Sequence, residues 1–166
     1  MNWEAIGVAA EVVGAAGVII TLVYVAIQIR HNTASTKSLT HQQLFDSVME
    51  VNCRVGENPE IAALMVKANV DYEAINPADQ LRLNMLFINW FTLWHSAFLN
   101  HKDGVLDPRG WQVWDKGLKL LLEQQVAVRR TWTQFGHVYD DEFRHYVGKI
   151  LKQIEQPPKP NASGEH

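Results

Sequence analysis

The chain has 166 residues, 15 Lys and Arg against 18 Asp and Glu, and one Cys. This length suits a single domain, or one domain with an appendage. The formal net charge of −3 excludes a strongly basic nucleic-acid-binding protein. A hydrophobic content of 47% excludes disorder over most of the chain, and the single cysteine excludes an internal disulfide framework.

Residues 1–30 predict a transmembrane anchor. Between positions 5 and 29 the only clearly polar side chains are Glu11, Thr21 and Gln28. About 25 residues of helix span about 37 Å, which exceeds the roughly 30 Å hydrocarbon core of a bilayer. The alternatives are a buried helix of a soluble protein and a cleaved signal peptide. A signal peptide is disfavoured because the apolar stretch has no basic residue before it and no small-residue cleavage site after it.

The charges that flank this anchor predict its orientation. No Lys or Arg precedes the apolar stretch, whereas Arg30 and Lys37 follow it, and the next acidic residue is Asp46. By the positive-inside rule, the N-terminus lies outside and the remainder lies in the cytoplasm. We therefore expect a single-pass protein of the inner (cytoplasmic) membrane. One unpaired cysteine suits a cytoplasmic body.

Small and polar residues fall on one side of the predicted anchor helix. At 100° per residue, the opposite side carries Val and Ile with a few Ala. Contact with lipid does not favour this segregation of small residues. Contact between two helices does favour it, because small residues let the backbones approach closely. We predict a seam that forms a homo-oligomer and consists of Gly7, Ala10, Glu11, Gly14, Gly17, Thr21, Tyr24 and Gln28.

Glu11 can occupy either of two positions. A carboxylate near the bilayer centre costs at least about 2.5 kcal/mol on insertion scales, which favours a functional role there. Residues 12–29 alone form about 27 Å of helix, so the span can also begin after Glu11 and leave it at the outer interface. In both cases Glu11 lies beside the small-residue stripe and is directed toward a neighbouring copy of the chain.

Residues 31–156 predict an all-α body, a bundle of about five to six helices, and residues 157–166 predict a disordered tail. No segment shows sustained β alternation. The segment 31–36 is polar but has no Gly or Pro, so the sequence leaves open whether the first helix continues through it. Three Asx-Pro pairs combine an N-cap with a proline in the first turn and predict helix starts: Asn58-Pro59, Asn76-Pro77 and Asp107-Pro108.

The stretch after Pro77 is the most hydrophobic part of the body. Between Met85 and Leu99 the polar residues are few and share one narrow stripe. A helix that is apolar on nearly all sides is buried. Because the apolar part has only about 15 residues, it suits a core helix better than a membrane span. A second span and a helix resting on the membrane surface are the alternatives.

Few residues suggest chemistry. Asn89, Thr92 and His95 are the best candidate for a polar pocket, although a satisfied polar stripe or an exposed helix edge explains the same spacing. No metal-binding motif of the H-E-x-x-H or C-x-x-C kind occurs. Cys53 stands among apolar neighbours and is expected to be a core thiol rather than a nucleophile. We predict no catalytic residue, no metal and no cofactor.

Two stretches of the chain resemble known proteins. The first is Glu11-x-x-Gly14-Ala15 followed by Thr21-Leu22-x-Tyr24-x-Ala26-x-Gln28-Ile29-Arg30-x-Asn32-Thr33. The second includes Gly104-x-Leu106-Asp107 and Phe143-x-x-Tyr146-Val147. Together they resemble uncharacterised short bacterial single-pass membrane proteins with a helical C-terminal domain, over most of the chain. The resemblance implies a membrane-anchored helical protein and implies no catalytic residue.

Three functions follow as hypotheses. We favour a non-enzymatic scaffold, sensor or subunit of a membrane complex, with the lipid bilayer, further copies of the chain and other subunits as partners and no nucleic acid. The second hypothesis is a small oligomeric channel lined by Glu11, Thr21 and Gln28. The third is a membrane-anchored ligand-binding or enzyme module with a pocket near His95.

Overall fold

The computed structural model describes residues 3–155, with the side chains of positions 7, 11 and 14 onward. This part of the chain forms α-helices and one 3₁₀ turn, Gly136–Val138, and contains no strand. The predicted all-α class is confirmed. The helices are α1 Trp3–Gly56, α2 Pro59–Val70, α3 Pro77–Lys102, α4 Pro108–Gln124, α5 Val126–Phe135 and α6 Asp141–Glu155.

The chain divides into two units, residues 1–40 and residues 41–166. The described part of the first unit is a single helix. From Gly14 onward α1 is long and apolar enough to cross a membrane, by length and composition. The predicted anchor ends ten residues before the second unit begins, and the predicted tail, 157–166, lies outside the described residues. Helix α1 is unbroken through 31–36, the segment for which the sequence left continuity open.

Asx-Pro pairs begin three of the helices, as predicted. The side-chain oxygen of Asn58 accepts hydrogen bonds from two backbone N–H groups of α2, at 3.0 and 3.2 Å. Asn76 does the same for α3 at 3.0 Å and Asp107 for α4 at 2.6 Å. These bonds satisfy N–H groups that have no partner inside the helix, and proline loses nothing in the first turn. Between α3 and α4 the chain turns at Gly104, whose φ is +69°.

Helix α3 is the centre of the second unit, which supports the core interpretation of its sequence. It packs against α2, α4 and α5. Leu83, Phe87 and Phe91 on α3 are at most 2% exposed. The other large side chains that are nearly inaccessible come from three further helices, and they are Leu118, Leu122, Val128, Thr131, Phe143 and Val147.

A smaller apolar cluster joins the end of α1 to the rest of the second unit. Leu44 of α1 is buried with Ala97 and Leu106, and the half-buried Trp111 and Trp114 pack against them. The prediction that Cys53 is a core thiol is wrong, because its side chain is exposed. At 100° per residue, Cys53 points away from the inward-facing valines two positions before and after it.

One buried polar network crosses the core. The side-chain oxygen of Asn84 accepts hydrogen bonds from the hydroxyls of Tyr72 and Thr131, both at 2.9 Å. All three residues are buried. Because an unpaired buried hydroxyl is costly, this network favours one register of α3 against α5 and the loop before α3.

Candidate functional site

Three glycines of the predicted seam have open space beside them in the described part of the chain. A Cβ atom built on Gly7, Gly14 or Gly17 would meet no atom within 4 Å, apart from the helix's own backbone. Among the other seam residues, the side chain of Ala10 lies outside the described set, and Glu11 is exposed. No packing against the described residues therefore requires glycine at these three positions. Whether they contact a second helix stays a prediction.

The polar residues of the stripe form hydrogen bonds along the helix. The hydroxyl of Thr21 donates to the carbonyl of Gly17 at 2.8 Å, and Gln28 Nε2 donates to Tyr24 Oη at 2.9 Å. Both pairs are four residues apart, which places them on one face as predicted. Gln28 keeps its side-chain carbonyl and a second N–H, so it retains groups that can bond to another helix.

The three residues of the predicted polar pocket differ in their surroundings. Asn89 is exposed. The hydroxyl of Thr92 donates to the carbonyl of Ile88 at 2.9 Å and lies 3.2 Å from Tyr139 Oη. The Nε2 atom of His95 contacts the Asp140 carboxylate. Two of the three therefore join α3 to the residues just before α6.

Asp140 has two roles in this contact. Its other carboxylate oxygen accepts from the backbone N–H groups of Glu142 and Phe143, at 3.0 and 2.9 Å, and so caps α6. The backbone hydrogen bond from Phe143 is the largest cause that holds the pKa of Asp140 below its usual range; loss of hydration opposes it, and the neighbouring His95 lowers the pKa further. The arrangement is a packing joint in which polar side chains of α3 are satisfied by the start of α6.

Metal binding finds no support in the described residues. Across positions 3–155, with the side chains stated above, no three His, Cys, Asp or Glu side chains converge on a point where an ion could bind. His101, the other histidine of α3, stacks on Trp111 at a centroid distance of 5.0 Å. Its Nδ1 lies 3.2 Å from the carbonyl of Leu106. This ring is therefore engaged in packing at the α3–α4 turn.

A cavity of about 550 Å³ lies on another side of the second unit, and we call it the tryptophan groove. Three helices line it. Helix α3 contributes Trp90 and Trp94. Helix α1 contributes His41, Phe45, Val48 and Asn52. Helix α4 and its C-cap contribute Gly110, Val113, Trp114, Gly117, Leu120, Leu121, Gln124 and Gln125.

The tryptophan side chains hold one another in place along this groove. Trp94 Nε1 donates to the backbone carbonyl of Trp114 at 2.8 Å, and the two rings meet edge to face at 5.8 Å. Trp90 is 8% exposed, and its Nε1 has no hydrogen-bond partner among the described residues. The rim is different, because Phe45 and Val113 are 58% and 72% exposed. Fixed walls and an apolar, open rim are typical of a ligand site.

The groove was not predicted, although the sequence carried a signal for it. Gly117 lies in α4, a helix that is otherwise strongly amphipathic, and lines the groove. Gly110 also lines the groove, but a Cβ atom there would lie 2.8 Å from Leu106 Cδ1, so local packing accounts for that glycine. A Cβ on Gly117 would lie 3.5 Å from the Trp94 ring, an ordinary contact, so the backbone there does not require glycine. Glycine costs about 1 kcal/mol relative to alanine in a helix interior, and its presence at 117 leaves this part of the groove wider than alanine would.

No protein-family model, no curated protein and no solved structure matches the chain.

Proposed function

We propose that the chain is a membrane-anchored helical protein that self-associates through the N-terminal part of α1 and acts as a scaffold, sensor or subunit of a membrane complex. The observation that carries this proposal is the exposure of α1 between positions 18 and 29. Nine large apolar side chains there are between 43% and 69% exposed. They are Val18, Ile19, Ile20, Leu22, Val23, Tyr24, Val25, Ile27 and Ile29.

The size of this apolar surface argues for a bilayer around it. Soluble monomers rarely expose a contiguous apolar patch of more than a few hundred Å². Here large apolar side chains cover most of the surface of the helix, and none of its most apolar window is buried. Lipid covers such a helix completely, and the helix satisfies its own backbone hydrogen bonds as a spanning segment must.

Self-association is supported by the side of the helix that carries small side chains. The stripe of Gly14, Gly17 and Thr21 lets a second helix approach closely, while Val and Ile on the other side face lipid. A channel lined by Thr21 and Gln28 receives less support, because both side chains already bond along their own helix. Close packing through glycine also leaves little room for water.

The test compares two double substitutions in the full chain, purified in a mild nonionic detergent. Gly14→Leu with Gly17→Leu places bulk in the proposed seam. Ala16→Leu with Ala26→Leu places similar bulk on the opposite face and is the matched control. Native mass spectrometry reports the number of copies. We expect a discrete oligomer for the wild type and the control, and a monomer for the glycine variant.

Two results would contradict the seam. One is a wild-type chain that is monomeric in detergent and in nanodiscs. The other is an oligomer whose mass the glycine substitutions leave unchanged. Gly→Leu raises helix propensity, so a loss of the oligomer would not reflect a weakened helix.

Orientation is tested with the natural cysteine. Cys53 is exposed and is the single thiol of the chain. We propose that the body is cytoplasmic, on the basis of Arg30 and Lys37. A membrane-impermeant maleimide should then label Cys53 in inverted vesicles and leave it unlabelled in intact spheroplasts. Labelling in intact spheroplasts would place the body outside.

A further inference from the structure

One part of α1, from position 31 to position 39, has no packed side. Each of its nine residues is exposed, and the first buried side chain of the described part of α1 is Leu44. Leu39, the large apolar side chain of this segment, is 59% exposed. In proteins most helical stability comes from the packing of an apolar face rather than from local preference. The helix between positions 31 and 39 therefore depends on the preferences of its own residues.

Those residues are mostly poor helix formers. Ser, Thr, Asn and His rank low in helix propensity because their side chains lose rotamers in a helix or compete for backbone hydrogen bonds. They occupy six of the nine positions: His31, Asn32, Thr33, Ser35, Thr36 and Ser38. The hydroxyl of Thr33 donates to the carbonyl of Ile29 at 2.8 Å. The hydroxyl of Thr36 donates in the same way to Asn32 at 3.0 Å, and bonds of this kind slightly destabilise a helix.

Ion pairs along the helix do not compensate for this weakness. Opposite charges four residues apart stabilise an exposed helix. Lys37 has no such partner, because no Asp or Glu occurs between Glu11 and Asp46. Later in α1, by contrast, Arg54 bonds to Glu50 one turn before it at 2.6 Å. Low propensity, complete exposure and the lack of ion pairs thus coincide in one short segment.

We propose that residues 31–39 are a hinge in α1, which opens locally from helix to coil while the helix before and after it persists. Few buried contacts and solvent-exposed backbone hydrogen bonds are the features of regions that open at low cost. As a helix the nine residues measure about 14 Å, and fully extended they reach about 30–32 Å. Opening therefore lets the chain bend and lengthen at this segment. The inference goes beyond anchoring and self-association and does not depend on either.

Hydrogen exchange of the full chain in phosphatidylcholine nanodiscs, read by mass spectrometry of peptides, tests the proposal. New helix ends must form when the hinge opens, which limits the opening, whereas poor propagation favours it. We expect the amides of residues 31–39 to exchange about 10–100-fold more slowly than those of an unstructured peptide. The amides of the buried helix α3 should be slowed by at least a further factor of about 1,000.

Two variants test whether helix propensity controls the opening. Replacing Thr33, Ser35, Thr36 and Ser38 together by Ala should slow exchange in the hinge by about tenfold or more. Ala34→Gly should accelerate it by about fivefold. The matched control is Ala63→Gly, the same change at an exposed position of α2, and it should leave exchange in the hinge unchanged.

Limited digestion with trypsin gives an independent measurement, because a protease cuts a helix only after it opens. Lys37 lies inside the hinge, and Lys116 is an exposed lysine in the middle of α4. Under native conditions, cleavage after Lys37 should be at least about 100-fold faster than cleavage after Lys116.

Three outcomes would overturn the proposal. Amides of residues 31–39 as protected as those of α3 would show that the helix there does not open. Protection that disappears in the Gly14→Leu, Gly17→Leu variant would show that a second copy covers the segment, which would contradict the hinge and support the seam. Unchanged exchange in the alanine variant, or equal cleavage after Lys37 and Lys116, would show that local helix propensity does not govern this segment.

Discussion

Removal of the Phe143 side chain should strongly destabilise the second unit. Its ring is fully buried, and five aromatic rings surround it at centroid distances of 5.0–6.0 Å. Truncation of a buried Phe to Ala costs 3–5 kcal/mol, and rigid neighbours that cannot collapse into the cavity favour the upper part of that range. The neighbours are His95, Phe98, Trp132, Tyr139 and Tyr146.

We therefore expect Phe143→Ala to lower the free energy of unfolding by about 4 kcal/mol. The assay is urea unfolding of the full chain in nonionic detergent, followed by tryptophan fluorescence. With a urea dependence of about 2 kcal/mol per M, the midpoint should fall by about 2 M. Phe45→Ala is the matched control, because Phe45 is 58% exposed and should lose about 1 kcal/mol. Equal losses in the two variants would refute the assignment of Phe143 to the core.

Three further predictions use the same assay. Asn58→Ala removes the N-cap of α2 and should cost about 1 kcal/mol, while Asn58→Asp should retain most of the stability. Gly104→Ala forces a side chain into a positive φ and should cost about 1–2 kcal/mol; no loss would contradict the turn geometry. The pKa of Asp140 is lowered in the folded chain, so its contribution is present at neutral pH and is lost as pH falls below about 4 through the folded value. Asp140→Asn keeps a capping side chain but removes the charge. The difference in urea midpoint between the wild type and this variant should therefore shrink on acidification. A difference that stays constant from pH 7 to pH 3 would contradict the lowered pKa of Asp140.

Local signals in the sequence were sufficient to predict where the helices begin. An N-cap followed by proline acts within one turn, so Asn58, Asn76 and Asp107 could be read without knowledge of the fold. The burial of α3 was also predictable, because exposing a helix that is apolar on nearly all sides to water is unfavourable. Both properties depend on neighbours within a few residues along the chain.

Contacts between distant segments were not predictable in the same way. The partners of Thr92 and His95 are Tyr139 and Asp140, which lie 47 and 45 residues away. The groove likewise depends on how α1, α3 and α4 pack in the second unit. Hydrophobic periodicity indicates which face of a single helix is buried, but it does not indicate which other helix packs there. The error at Cys53 has a simpler cause, since residues two positions apart on a helix face opposite sides.

The prolines at the starts of α2, α3 and α4 have a consequence for folding kinetics. All described peptide bonds are trans, those before Pro59, Pro77 and Pro108 included. In an unfolded chain each of these bonds becomes cis in about 10–30% of molecules, so about half of the molecules acquire at least one wrong isomer. Return to trans takes tens to hundreds of seconds. Chains unfolded briefly should therefore refold in one fast phase, whereas chains kept unfolded for an hour should gain a slow phase that a prolyl isomerase accelerates.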